Sequence, residues 1–127
     1  MLDIISSFTS FSINDLDKAY IFYSEKIELY AERTSMGIRL HLPGGAMAFV
    51  YPKQDHEPAT FTVLNLVVND LRNAMKHLKS KGVQFQYYEG LTDEDNIMHG
   101  IAQHQGPDIA WFKDPAGNII SVLQEEE

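Results

Sequence analysis

From Leu16 onward, apolar side chains recur at Leu16, Ala19, Tyr20, Tyr23 and Ile27, a spacing that draws one stripe along a helix. The stripe returns at Leu71, Ala74, Met75 and Leu78. The two stretches are copies of each other: Ile13–Lys26, INDLDKAYIFYSEK, reappears as Val68–Lys81, VNDLRNAMKHLKSK. Asn14 matches Asn69, Asp15 matches Asp70, Leu16 matches Leu71, Ala19 matches Ala74 and Lys26 matches Lys81. Asp15 and Asp70 are expected as N-caps, because a short carboxylate can accept from the free N–H groups of a first helical turn. Gly82 stands where the second helix needs a left-handed stop.

Around the helices the pattern changes to that of strands. Phe8–Ile13 and Thr60–Val68 precede the helices, and Leu29–Thr34 follows the first. Ile38, Leu40 and Leu42 alternate with Arg39 and His41 as in a half-buried strand, and Ala46–Tyr51 ends the first half. In the second half Val83, Phe85 and Tyr87 alternate, and Pro107–Phe112 and Ile119–Leu123 also read as strands. Met36-Gly37, Pro43-Gly44-Gly45 and Asp114-Pro115-Ala116-Gly117 are turn signals. Gly90–Gly106 is irregular and is expected to hold a strand interrupted by a loop. The polar, proline-bracketed Pro52–Ala59 connects the halves. The expected architecture is α+β: one domain over residues 1–127, made of a first module at about 6–52 and a second at about 60–124, each strand–helix–strand–strand–strand.

Composition narrows the function classes. With 127 residues there is room for one proper core, whereas halves this short would struggle to fold alone. A net charge of −8, part of it in Glu125–Glu127, argues against a nucleic-acid partner, which needs a concentrated positive field. The chain has no cysteine, so neither disulfides nor thiolate chemistry enters. No stretch is long and apolar enough for a membrane span. The opening MLDIISSFTSF lacks a basic region and a continuous apolar run, so no signal peptide is expected and the cytoplasm is the default location.

Two stretches carry a family resemblance: FSINDLDKAYIFYSEKIEL near the start and WFKDPAGNIISVLQ near the end. With the duplication, they make the chain resemble the vicinal oxygen chelate superfamily, the group of glyoxalase I, bleomycin-resistance proteins and extradiol dioxygenases. The resemblance covers nearly the whole chain and implies two βαβββ modules whose sheets curve into an incomplete barrel around a cleft. Enzymes of that group hold a divalent metal on the first and last strands of each module. The matching positions here are Phe8 and Val63, seven residues before Asp15 and Asp70, Ser121, four after Gly117, and a residue near Phe49. None of these offers the imidazole or carboxylate that such a metal wants. Neither do their immediate neighbours, so no metal and no other cofactor is expected.

The histidines supply no evident substitute. His41 faces either solvent or the cleft, His56 lies in the connector beside Glu57, and His77 is on the outer face of the second helix. His99 and His104 flank the irregular stretch, where a site shared with His56 would need long-range convergence. No nucleophile triad or phosphate loop is present. Because strand side chains alternate, the resemblance implies a cleft lined by Phe8, Ser10, Phe49, Tyr51, Val63, Asn65 and Ser121, with Trp111 and His41 as further candidates. The same apolar residues could equally fill a core, Trp111 above all. Two function classes follow: a metal-free binder of a small aromatic or cationic molecule, or a lyase, isomerase or dioxygenase-type enzyme using an unrecognised site. As open sheet edges are a liability, and by the resemblance, a homodimer is expected.

Overall fold

Asp15 and Asp70 perform the same task in the two halves. Both are extended, with φ/ψ of −140°/107° and −139°/104°, and each side chain accepts from the backbone N–H three residues on, Lys18 and Asn73, at 3.1 Å. A computed structural model describes residues 1–126 of the chain. It divides into two compact units, Met1–Pro58 and the chain from Ala59 onward.

The first unit runs β1 (Thr9–Ile13), α1 (Leu16–Ile21), β2 (Tyr30–Arg33), β3 (Ile38–His41) and β4 (Met47–Pro52). Its sheet has the order β1-β4-β3-β2, with β1 parallel to β4 and the other pairs antiparallel. One face is apolar and buried: Phe11, Ile13, Ala31, Ile38, Leu40, Ala48 and Val50. The expected single helix to Ile27 departs from this plan, since α1 ends at Ile21 and Phe22–Lys26 forms a π turn. There the Ile27 N–H reaches the Phe22 carbonyl at 3.0 Å. The wider turn lets adjacent aromatics both face inward. Phe22 and Tyr23 are buried edge to face at 5.2 Å, and Tyr23 also meets Phe11 on the sheet.

The second unit repeats the plan with β5 (Thr62–Val67), α2 (Leu71–Ser80), β6 (Met98–His99), β7 (Asp108–Lys113) and β8 (Ile119–Gln124). The order β5-β8-β7-β6 again sets first and last strands parallel. Leu71, Met75 and Leu78 of α2 are buried, as are Leu64, Ala110, Phe112, Ile120 and Val122 of the sheet. Gly82 follows α2 with φ +90°, the left-handed stop. The fold is thus α+β with a duplicated βαβββ module.

The alternating Val83, Phe85 and Tyr87 do not form a strand. Only Phe85 bridges to Phe112, and the Gln86 N–H reaches the Trp111 carbonyl at 2.8 Å. The reason is competition for one edge. Met98–His99 occupies the other end of β7, opposite Ile109 and Asp108, so the seat beside β7 is shared by two short pieces. Between them the chain loops out, pinned where the Tyr88 N–H donates to Thr92 Oγ1 at 2.9 Å and where Asp93 Oδ1 accepts from Asp95 and Ile97. Among the described residues no helix is long and apolar enough to cross a membrane.

Candidate functional site

Strand alternation leaves a second face on each sheet, and chemistry-bearing side chains gather there. On the first sheet the register places Ser10 beside Phe49, Phe49 beside Arg39, and Arg39 beside Glu32. The adjacent row holds Met47, His41 and Tyr30. Glu32 Oε1 accepts from Arg39 and meets His41 Nε2, both at 3.2 Å. These contacts, that of His41 first and that of Arg39 second, hold the Glu32 carboxyl below its usual range. Tyr30 stacks on His41 with ring centroids 4.5 Å apart, and Phe49 lies nearly parallel to Tyr51 at 6.4 Å.

A cavity of about 440 Å³ opens on this face, lined by Phe8, Thr34, Ser35, Met36, Arg39, Met47 and Phe49. That size falls in the ~300–1,000 Å³ span of small-molecule sites. Phe8 lies just before β1 and remains 65% exposed. Gly37 sets the close approach that shapes the cavity's rim: a Cβ there would stand 2.4 Å from the Val50 carbonyl oxygen and 3.1 Å from the Phe49 ring. The Thr34 hydroxyl closes the same turn, accepting from Met36 and Gly37 at 3.1 Å. Of the expected residues, Phe8 and Phe49 line the cavity, while Ser10, His41 and Tyr51 share its sheet face without lining it. Arg39, Met36 and Met47 were not among the candidates. Alternation with His41 was the available signal for Arg39, and pairing across from Phe49 is what the sequence does not write.

On the second sheet Asn65, Ser121 and Trp111 form one row. Ser121 is fully buried and donates to Asn65 Oδ1 at 2.6 Å. The Trp111 indole N–H donates to Thr62 Oγ1 at 3.1 Å, with Tyr88 edge-on at 5.7 Å. The pairing register shifts between Thr62 and Leu64, so Val63 is the extra residue of a bulge. Tyr88, which the sequence did not single out, keeps a buried hydroxyl without a hydrogen-bond partner among the described residues.

The residues at the implied metal positions do not fit a divalent ion. Phe8, Phe49 and Val63 have no donor atom, and the Ser121 hydroxyl is engaged by Asn65. Among the described residues no group of three or more His, Asp or Glu is arranged to hold an ion. The remaining histidines have local roles. His56 Nδ1 meets the Ser12 hydroxyl at 2.7 Å and ties the connector to β1. His99 pairs with Asp93, and its other ring nitrogen lies 3.9 Å from Asp108. His104 meets Glu126 at 3.1 Å, and His77 is exposed.

Comparison with known proteins bears on the family and the fold. The family model of the Glyoxalase/Bleomycin resistance protein/Dioxygenase superfamily matches residues 5–122. Among proteins of curated function none matches. Solved structures do: a bleomycin-binding protein complexed with bleomycin aligns at TM-score 0.67 and 21% identity, over 97% of this chain and 100% of that one. An antibiotic-binding protein from Streptomyces sp. CB03234 aligns at TM-score 0.63 and 21% identity, covering 98% of this chain and 100% of its own. A superfamily member from Sphaerobacter thermophilus DSM 20745 gives 0.66 and 22%, over 95% and 98%.

Proposed function

Because the chain belongs to the Glyoxalase/Bleomycin resistance protein/Dioxygenase superfamily, we propose that it uses the open face of its first sheet to bind a small, largely apolar, planar molecule. The observation that carries this reading is the cavity of about 440 Å³ walled by Phe8, Phe49, Met36 and Met47. Aromatic rings and thioethers give broad, polarizable contact to a flat ligand without demanding one shape. Two structural relatives, one an antibiotic-binding protein and one complexed with bleomycin, support the binding class. No step of a reaction is assigned to the face, since none of its side chains is arranged as a nucleophile with its base.

The test is a titration of the whole protein with bleomycin and a panel of planar apolar compounds, followed by backbone amide NMR. Binding should shift amides around Met36, Arg39, Met47 and Phe49. Shifts confined to β5, β7 and β8, or no binding across the panel, would sink the reading.

A further inference from the structure

Arg39 is the one charged side chain in the cavity wall. Its neighbour Glu32 accepts a single hydrogen bond from it, at 3.2 Å from Nη1, and no other partner of Arg39 is found among the described residues. A guanidinium carries five N–H donors in a fixed fork, so most of its donors stay open. Both members of the pair are nearly half exposed, at 43% and 44%, so solvent keeps their mutual attraction weak. Glu32 lies outside the cavity lining, and His41 holds it from the other side. The result is a positioned cation on a wall that is otherwise uncharged and mostly apolar, opposite Phe49 in the register and in the same cavity as Phe8. The Thr34 hydroxyl is already bonded within its turn, which leaves Arg39 and Ser35 as the polar side chains free to meet a ligand.

Resting on the binding reading above, we propose that the ligand is an aromatic oxyanion, a carboxylate or phenolate on a planar apolar body. Arg39 takes the charged oxygen while Phe8 and Phe49 cover the ring. The chain's net charge of −8 does not override this preference. Charges on the far surface are screened over about 8 Å at physiological salt, whereas a guanidinium in contact with a carboxylate is not. A cationic ligand would have to place its charge against Arg39, with no carboxylate in the lining to receive it.

Three matched probes and three variants decide the matter. The probes are 2-naphthoate, 2-naphthamide and (2-naphthylmethyl)ammonium, titrated calorimetrically into wild type, Arg39→Gln, Arg39→Lys and Phe8→Ala, with thermal melting as the check on folding. Wild type should bind naphthoate at least about tenfold more tightly than the ammonium compound, the scale of a hydrogen bond to a charged group. Arg39→Gln should erase that preference while keeping affinity for the neutral amide, and Arg39→Lys should restore part of it. Phe8→Ala should weaken all three probes alike. Equal binding of acid and ammonium, or a preference that survives Arg39→Gln, overturns the oxyanion assignment. If Phe8→Ala still weakens every probe in that case, the pocket itself stands. If no probe binds wild type, or none of the three variants changes binding while all melt like wild type, assignment and pocket fall together.

Discussion

Phe8 is 65% exposed in the wall of the cavity it helps to line. Phe8→Ala should therefore cost well under the ~3–5 kcal/mol of a buried Phe truncation. Leu71→Ala, at a residue 3% exposed, should cost roughly 2–5 kcal/mol. Chemical denaturation of the two variants checks this, and equal losses would place Phe8 in the core. Phe8→His should gain no tight metal binding, because Val63 and Ser121 add no free donor. Calorimetry with zinc reads that outcome directly, and submicromolar affinity would refute it. Gly37→Ala should destabilise by about 1–3 kcal/mol, since its Cβ would sit 2.4 Å from a backbone oxygen and must push β4 away. Spacing from Asp15 singled out Phe8, which lines the cavity, whereas Ser121, singled out by its spacing from Gly117, bonds Asn65 on the second sheet. Arg39 was not legible, because alternation names a face but not the cross-strand neighbour that turns a surface arginine into part of a cavity.

Elements were legible wherever a local cause makes them. The two Asp caps, the apolar stripes and the turns all rest on neighbours close in sequence. Asp70→Ala should remove about 1 kcal/mol by freeing the Asn73 N–H, measured as a lower urea midpoint. What was not legible is the edge of β7, because Val83–Tyr87 and Met98–His99 compete for one seat and only long-range register decides between them. The loop between them should add an acid dependence of its own. The Ile97 N–H above all, with His99 and the Asp95 N–H, holds the Asp93 carboxyl below its usual range against the opposing effect of burial. A carboxyl depressed in the folded state adds stability above its unfolded value of about 4, and that stability drains as pH falls through the folded value. Between pH 4 and 2.5 the wild type should lose more stability than Asp93→Asn. Parallel urea midpoints across that window would remove Asp93 from the account.

At the scale of the whole molecule, the duplication was the most readable feature, since fourteen-residue copies with the same caps imply the same strand–helix–strands plan twice. We further propose that two copies of the chain associate. Among the described residues β1, β2, β5 and β6 are the outer strands of their sheets, and Leu2, Ile4 and Ile5 expose apolar side chains before β1. Light scattering should give about twice 14.4 kDa, and a mass holding at 14.4 kDa across a broad concentration range would rule the dimer out.

The parallel pairing of first and last strands also sets a clock. Thr9 finds its place only when Ala48 has been made, and Thr62 only when Ile119 has. At synthesis speeds of about 5–20 residues per second, each opening strand waits on the order of seconds for its neighbour. The second wait is the longer one, and it ends within the last strand of the chain. A ribosome that stalls anywhere between Val67 and Ile119 leaves β5 without its parallel neighbour, so the opening strand of the second module stays unpaired until nearly all of that module has been made.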